Sequence, residues 1–230
     1  KCVLELGGSN AFIILEDANL EKAVTTAVNA RMQNAGQSCI AAKRFLVHEK
    51  IVDEFVAKFK VAIQNLKTGN PLDKETQIGS LARVDLAEEL EAQVQKSIQM
   101  GADLIVGGTR KEAFYEPTIL ANVTTEMPVF NEETFGPVAS IITFKTLEEA
   151  IELSNQSEFG LGVSIFTQDI DFIKTKISAF NEGAVFINEM VKSDPRLPFG
   201  GIKKSGYGRE LAEDGIKEFV NVKTIVINTF

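Results

Sequence analysis

The feature that most constrains this chain is a recurring alternation of two patterns. Short, near-continuous apolar runs alternate with longer stretches whose apolar residues return every three or four positions. The compact runs are Phe12 to Leu15, Lys43 to Val47, Asp103 to Val106, Val138 to Phe144, Gly162 to Thr167 and Gly183 to Asn188. A strand with no polar alternation is one whose two faces are both covered. Helical spacing fills the intervals: Leu20 to Met32, then Ile51, Val52, Phe55, Phe59, Ile63 and Leu66, then Leu86, Leu90, Val94 and Ile98. It continues with Leu147 to Leu153, and with Ile170, Ile173, Ile177 and Phe180. Asp17 is expected to cap the first helix, and Gly69-Asn70-Pro71 and Gly101 to stop the next two. The alternation implies an α/β class, a mostly parallel sheet flanked by helices.

The last fifth of the chain reads differently. Lys192 to Gly208 is rich in Gly, Pro, Lys and Ser and is expected to be a long ordered loop. A short helix is expected over Arg209 to Phe219, and a late strand over Val222 to Asn228. No internal repeat or low-complexity linker interrupts the 230 residues, a length that can bury a substantial core.

Composition narrows the classes of function. A net charge of −8 argues against a broad nucleic-acid or anionic-membrane surface. Two cysteines, Cys2 and Cys39, make no disulfide framework and point to a reducing, cytoplasmic setting. No metal-ligand spacing of Cys and His is present. A Ser-His-Asp mechanism would rest on the single histidine, His48, which is expected at the surface. No apolar stretch has bilayer length and no signal peptide is visible. The chain opens at Lys1 directly into an apolar run, which reads as a piece of a longer chain.

Four short motifs carry candidate chemistry. Cys39 follows Gly36-Gln37-Ser38, whose small side chains leave room around a sulfur that as thiolate attacks carbonyls. Glu5 lies between Leu4 and Leu6 and precedes Gly7-Gly8, where a partly desolvated carboxylate can act as a general base. Glu132-Glu133-Thr134-Phe135-Gly136-Pro137 joins carboxylates able to accept from ribose hydroxyls to an aromatic able to flank a planar ring. Leu197-Pro198-Phe199-Gly200-Gly201, with Lys203-Lys204-Ser205-Gly206-Tyr207-Gly208, demands unusual backbone geometry without Walker-type spacing. Each motif alone also admits a plain structural reading: a buried thiol, a surface Glu before a turn, an acidic loop, a solvated loop.

In this order, Glu5-Leu6-Gly7-Gly8, Gly36-Gln37-Ser38-Cys39, Glu133-Thr134-Phe135-Gly136-Pro137 and Pro198-Phe199-Gly200-Gly201 resemble the aldehyde dehydrogenase superfamily along the whole chain. The resemblance implies that Cys39 is the nucleophile that adds to an aldehyde, giving a thiohemiacetal that yields a hydride to nicotinamide and leaves a thioester. It implies that Glu5 is the general base and that the Cys39 N–H donates to the oxyanion. It implies that Glu133 holds the nicotinamide ribose of NAD or NADP with Phe135 beside it, that Phe199 walls the substrate tunnel, and that Asn188 closes a strand before the substrate loop. Residues 1–8 would end a cofactor-binding domain and linker, 9–200 form the catalytic domain, and 201–230 hold a loop, a helix and a C-terminal oligomerisation strand. That strand, in the family, adds to a neighbouring subunit's sheet and implies a homodimer or homotetramer.

Val191-Lys192-Ser193-Asp194-Pro195-Arg196-Leu197-Pro198-Phe199 is most similar to bacterial succinate-semialdehyde dehydrogenases. Ser193 stands where many relatives place a bulky aromatic, which suits a substrate with a polar far end. Arg196, and secondarily Lys192, is the expected carboxylate-binding cation. Gln33 departs from relatives with an Arg six residues before the nucleophile. With the adenosine side of the cofactor site outside these residues, the isolated chain is expected to be inactive as a dehydrogenase. The alternatives are a cysteine-dependent esterase or acyl-transfer domain and a non-catalytic oligomerising piece.

Overall fold

The computed structural model describes residues 1–229 and orders them around one seven-stranded sheet. The chain runs through β1 (Leu4–Glu5), β2 (Asn10–Ile14), α1 (Leu20–Met32), β3 (Ala42–His48), α2 (Val52–Gln64) and α3 (Val84–Gln99). It continues with β4 (Asp103–Val106), β5 (Arg110–Lys111), β6 (Phe114–Tyr115), β7 (Thr118–Ala121), α4 (Pro128–Asn131), β8 (Val138–Phe144) and α5 (Leu147–Asn155). The last elements are β9 (Phe159–Gly160), β10 (Val163–Phe166), α6 (Ile170–Lys174), β11 (Val185–Ile187), β12 (Ile202–Lys203), β13 (Gly206–Tyr207) and α7 (Ala212–Glu218). The sheet order is β11-β10-β2-β3-β8-β7-β4, and every neighbouring pair is parallel except β4 with β7. The expected α/β class with a mostly parallel sheet is the one observed.

The apolar runs of β2, β3 and β10 are buried throughout, whereas at the sheet's edges β4 and β11 are only partly covered. Phe12, Ile13, Phe45, Leu46 and Val47 have no exposed surface. A stack of rings crosses the sheet: Phe12 lies 4.6 Å from Phe166 and 5.3 Å from Phe45 between centroids. Phe59 of α2 sits 5.3 Å from Phe45 and 5.2 Å from Phe55. Helix α1 faces the core with Ala23, Val24, Ala27 and Ala30, small enough for α2 to pack closely beside it.

Several local expectations change. Asp17 does not cap α1. Its carboxylate accepts from the Thr167 hydroxyl and from the backbone N–H groups of Gln168 and Asp169, so it ties the end of β2 to the end of β10. Asn19 caps α1 instead, accepting from Lys22 N at 3.0 Å. His48 is buried, edge-on to Phe144, with Nε2 3.0 Å from the Lys145 carbonyl. The helical face over 170–180 breaks into α6 and a single 3-10 turn, Ile177–Ala179. The loop before Gly208 contains β12 and β13, and the helix after it begins at Ala212.

Residues 221–229 form no strand within the chain, and Val222, Ile225, Val226 and Ile227 are each at least 73% exposed. A β-strand needs a partner edge, and this segment pairs with none of the described strands. Among the described residues no helix is long and apolar enough to cross a membrane.

The ring stack gives a direct test of the core. Phe12→Ala is expected to cost about 3–5 kcal/mol, read as a lower denaturation midpoint in urea; a loss under about 1 kcal/mol would mean the stack is dispensable.

Candidate functional site

Parallel strands start at the same edge of a sheet. The segments entering β2, β3, β8 and β10 are therefore neighbours, although they come from positions 7–9, 37–41, 136–137 and 161–162. Three of the motifs singled out in the sequence, together with the segment before β10, converge at this amino-terminal edge.

Cys39 is reached through an abrupt reversal. After α1, Asn34, Ala35 and Gly36 all take positive φ, at 53°, 52° and 75°. Ala35 is strained there, because a Cβ disfavours left-handed backbone. The reversal is held by Arg31, fully buried, whose Nη2 donates to the Gly36 carbonyl at 2.6 Å. Gly36 also presses on the Phe135-Gly136-Pro137 turn: a Cβ there would stand 2.2 Å from the Gly136 oxygen. Gln37 Oε1 accepts from Ala82 N at 2.8 Å and steadies the next residue.

The Cys39 loop is then fixed from three sides. Asn10 donates through Nδ2 to the Ile40 carbonyl at 3.0 Å and accepts from Gly162 N at 3.1 Å. The Lys43 ammonium, with no exposed surface, donates to the carbonyls of Ser38 and Cys39 at 3.1 Å each and of Ala41 at 3.3 Å. Gly8 passes so close that a Cβ would stand 2.5 Å from the Cys39 oxygen. Burial pushes the half-buried Cys39 thiol up from its ordinary pKa; the Lys43 charge pulls it back, and Glu133 adds a smaller upward push.

Glu133 lies on the far side of Gly7-Gly8. Its Oε1 accepts from Gly8 N at 3.0 Å and pairs with Lys43 Nζ at 3.4 Å. Its Oε2 faces Gly7, where a Cβ would come within 2.6 Å. The two adjacent glycines are explained by this double approach, to a carboxylate on one side and the cysteine loop on the other. Lys43 is pulled down to about 7, first by burial and then by Arg31, against the opposing pull of Glu133. Arg31 is pulled down to about 9 by burial. The Glu133 carboxylate keeps 21% of its side-chain surface open and Phe135 is 38% exposed. An open acceptor beside an open ring fits the ribose and base of a dinucleotide.

Glu5 belongs to a second cluster. It pairs in β1 with Gly206 of β13, and Leu6 N donates to the Ser205 carbonyl at 3.1 Å. Its Oε1 is buried without a hydrogen-bond partner among the described residues. Burial raises its pKa, Glu210 raises it further, and Arg209 opposes. A Cβ on Gly200 would stand 2.9 Å from that oxygen, so the Pro198-Phe199-Gly200-Gly201 motif meets Glu5. Phe199 exchanges backbone bonds with Glu210 at 2.7 and 2.8 Å. The charges acting on Glu5 are thus Glu210 and Arg209, and those acting on Cys39 are Lys43 and Glu133.

The substrate-loop residues are placed less centrally. Ser193 and Arg196 are exposed. Arg196 forms a two-pronged pair with Asp194, Nε to Oδ1 at 2.9 Å and Nη2 to Oδ2 at 2.6 Å. Lys192 donates to Glu189 at 3.0 Å. A cavity of about 250 Å³ lies beneath, lined by Val185, Lys192, Asp194, Leu197 and Phe199 among others. Asn188, at φ 56°, accepts from Thr167 N and donates to Thr167 O, ending β11 as a side-chain continuation of the ladder.

Sequence reasoning missed Lys43, Arg31 and Asn10. The available signal was a cation opening an apolar strand four residues after the cysteine, an arrangement that buries a charge only if something pairs with it.

A chain with this sheet, this cysteine loop and these glycine contacts belongs to the aldehyde dehydrogenase family, whose profile matches residues 1–225. It is 50% identical over 228 residues to the succinate semialdehyde dehydrogenase [NAD(P)+] Sad of Escherichia coli (strain K12), covering 98% of this chain and 49% of that protein. It is 50% identical over 230 residues to a probable succinate-semialdehyde dehydrogenase [NADP(+)] of Synechocystis, covering 99% and 51%. Among solved structures, the succinic semialdehyde dehydrogenase of Streptococcus pyogenes in complex with NADP+ superposes at TM-score 0.94 with 40% identity, over 99% of this chain and 50% of that one. The chain spans about half the length of the curated relatives it matches.

The Gly36 contact provides the test of this geometry. Gly36→Ala must both hold a positive φ and displace the Gly136 carbonyl. It is expected to lose about 2 kcal/mol or more in urea unfolding, whereas Gly101→Ala, with nothing within 4 Å, should lose only its backbone-strain share of about 1 kcal/mol. Equal losses would show that the contact with the Phe-Gly-Pro turn is not tight.

Proposed function

We propose that this chain supplies the catalytic domain of an NAD(P)-dependent dehydrogenase that oxidises succinate semialdehyde to the dicarboxylic acid. The observation that carries the reading is Cys39, held at the sheet edge by Lys43 and Asn10 and flanked by the open carboxylate of Glu133. The naming of the two curated relatives as succinate-semialdehyde dehydrogenases supports the substrate. Residues 1–8 correspond to the end of the cofactor domain, 9–200 to the catalytic domain and 201–230 to the C-terminal arm.

In this reading the Cys39 sulfur bonds to the aldehyde carbon, and the carbonyl oxygen becomes an alkoxide received by the Cys39 N–H. Glu133, through the ribose, and Phe135, beside the ring, would hold the nicotinamide, which when bound would supply the acceptor for the hydride leaving the carbon. Cys39 is left acylated as a thioester. Glu5 takes a proton from water, the hydroxide displaces the sulfur, and the acid leaves with the thiol restored. Phe199 walls the substrate channel. Arg196 binds the distal carboxylate beside Ser193, which requires it to exchange its bond to Asp194 for one to substrate. The exposed residues 222–228 pair with the sheet of another subunit, giving a dimer or tetramer. The chain alone, with only the nicotinamide side of the site, is expected to turn over negligibly.

Two outcomes test the reading in the intact enzyme. Glu5 must be ionised to act, and its pKa is raised, so hydrolysis should fade as pH falls through a midpoint above the ordinary carboxylate range. Glu5→Gln should lower kcat by about 10²–10⁴-fold and erase that acid limb from the kcat profile; an unchanged limb assigns it to another group. Arg196→Ala should raise KM for succinate semialdehyde about tenfold or more while leaving KM for a neutral aldehyde of similar length nearly constant. Equal effects on the two would remove Arg196 from substrate recognition.

A further inference from the structure

The Lys43 side chain has no role in the chemistry above, yet it touches both halves of the site. It lies in β3 with no exposed surface, donates to three carbonyls of the 38–41 loop, and pairs with Glu133 at 3.4 Å. We propose that Lys43 is a positioning residue that ties the cofactor-side carboxylate of Glu133 to the backbone of the Cys39 loop and presents its ammonium to the thiol. The inference rests on Cys39 being the nucleophile.

The charges facing Lys43 come from three directions: Arg31 from α1, Glu133 from the turn after α4, and Cys39 from its own loop. Two buried cations, Arg31 and Lys43, face one carboxylate. Where both keep their protons, one positive charge lacks a carboxylate partner, and a Cys39 thiolate would offset it. The Lys43 charge favours that thiolate more strongly than the Glu133 charge opposes it. Glu133 in turn helps Lys43 keep its proton near neutrality. Removing Glu133 would relieve a direct repulsion on the thiol but would also weaken the hold of Lys43 on its proton, and the relay proposed here makes the second effect the larger. Cofactor hydroxyls that engage Glu133 thus act on the nucleophile through one buried amine. Proton occupancy of the pair is coupled, and because Lys43 is pulled down to about 7, its charge favours the thiolate most at and below neutrality and less as pH rises.

The experiment is iodoacetamide labelling of the intact protein between pH 6 and 10, read peptide by peptide by mass spectrometry. Exposed Cys2 serves as reference in the same tube. Lys43→Met should slow Cys39 labelling at pH 7 by about tenfold, equivalent to a shift of about one unit in thiol pKa, move its midpoint upward and leave Cys2 unchanged. Labelling within about twofold of the parent, or slowing by the same factor at every pH, would overturn the proposal, since a mere scaffold does not move a midpoint. Should Lys43→Met fail to fold, Glu133→Gln, whose side chain reaches solvent, decides. Slower labelling of Cys39 at pH 7 supports the relay through Lys43, and faster labelling means Glu133 acts on the thiol directly and defeats it. Alkylation needs neither aldehyde nor cofactor, so its failure leaves the oxidation reading standing, and the kinetic tests above can fail without touching it.

Discussion

One buried ammonium fixes the geometry on which the rest of this site depends. Taking a lysine charge out of water costs several kcal/mol, and only well-placed partners offset it. Lys43 has three carbonyl oxygens and one carboxylate. Those partners come from the cysteine loop and from the turn after α4, which lie almost a hundred residues apart in the chain. The same interaction that makes the lysine tolerable therefore locks the two segments together. Arg44, the next residue, works in the opposite direction from the sheet: it donates to the carbonyls of Ser9, Leu153 and Ser154 and lies over the Phe130 ring. Of these consecutive buried cations, Lys43 anchors the cysteine loop and Arg44 ties the segment entering β2 to the last turn of α5.

The parallel sheet converts distance in sequence into contact. Because β2, β3, β8 and β10 run the same way, their entry turns share one edge. Contact there is between backbones, which explains where glycine is required. Gly8 against the Cys39 carbonyl, Gly36 against Gly136 and Gly183 against Gly200 each leave no space for a Cβ, the last at 1.9 Å from an oxygen. Open α/β sheets commonly take ligands at the carboxyl ends of their strands. In this protein the amino ends carry the Cys39 loop, because the glycine-rich and strained turns are the ones that precede strands.

Much of the fold was legible because its strands are pure apolar runs. Phe12 to Leu15, Lys43 to Val47 and Val138 to Phe144 fall within two residues of β2, β3 and β8. What escaped had no period to read. Thr118–Ala121 is only four residues long and follows Glu116-Pro117, yet it joins the sheet as β7 and supports the one antiparallel strand. Asp17 and Asn19 are both good cap formers; Asp17 was captured by Thr167, a residue 150 positions away. His48 ends a strand, and polarity there suggested solvent, but Phe144 on the adjacent strand covers it. The exposed apolar tail at 222–228 reads as a strand by composition, but it pairs with none of the described strands.

The sequence by itself determined the α/β class and the family and singled out the cysteine, the two glutamates and the glycine turns as candidates, because these depend on residue type and local order. Tertiary structure decided which of them meet. It put Glu133, not Glu5, beside Lys43 and the cysteine loop, gave Glu5 to the Gly200 and Arg209 cluster, and turned Arg196 onto Asp194. It also buried Lys43 and Arg31, which local pattern presents as ordinary cations. Those outcomes follow from long-range packing and from the pairing that a buried charge requires, and neither is written in the spacing of neighbouring residues.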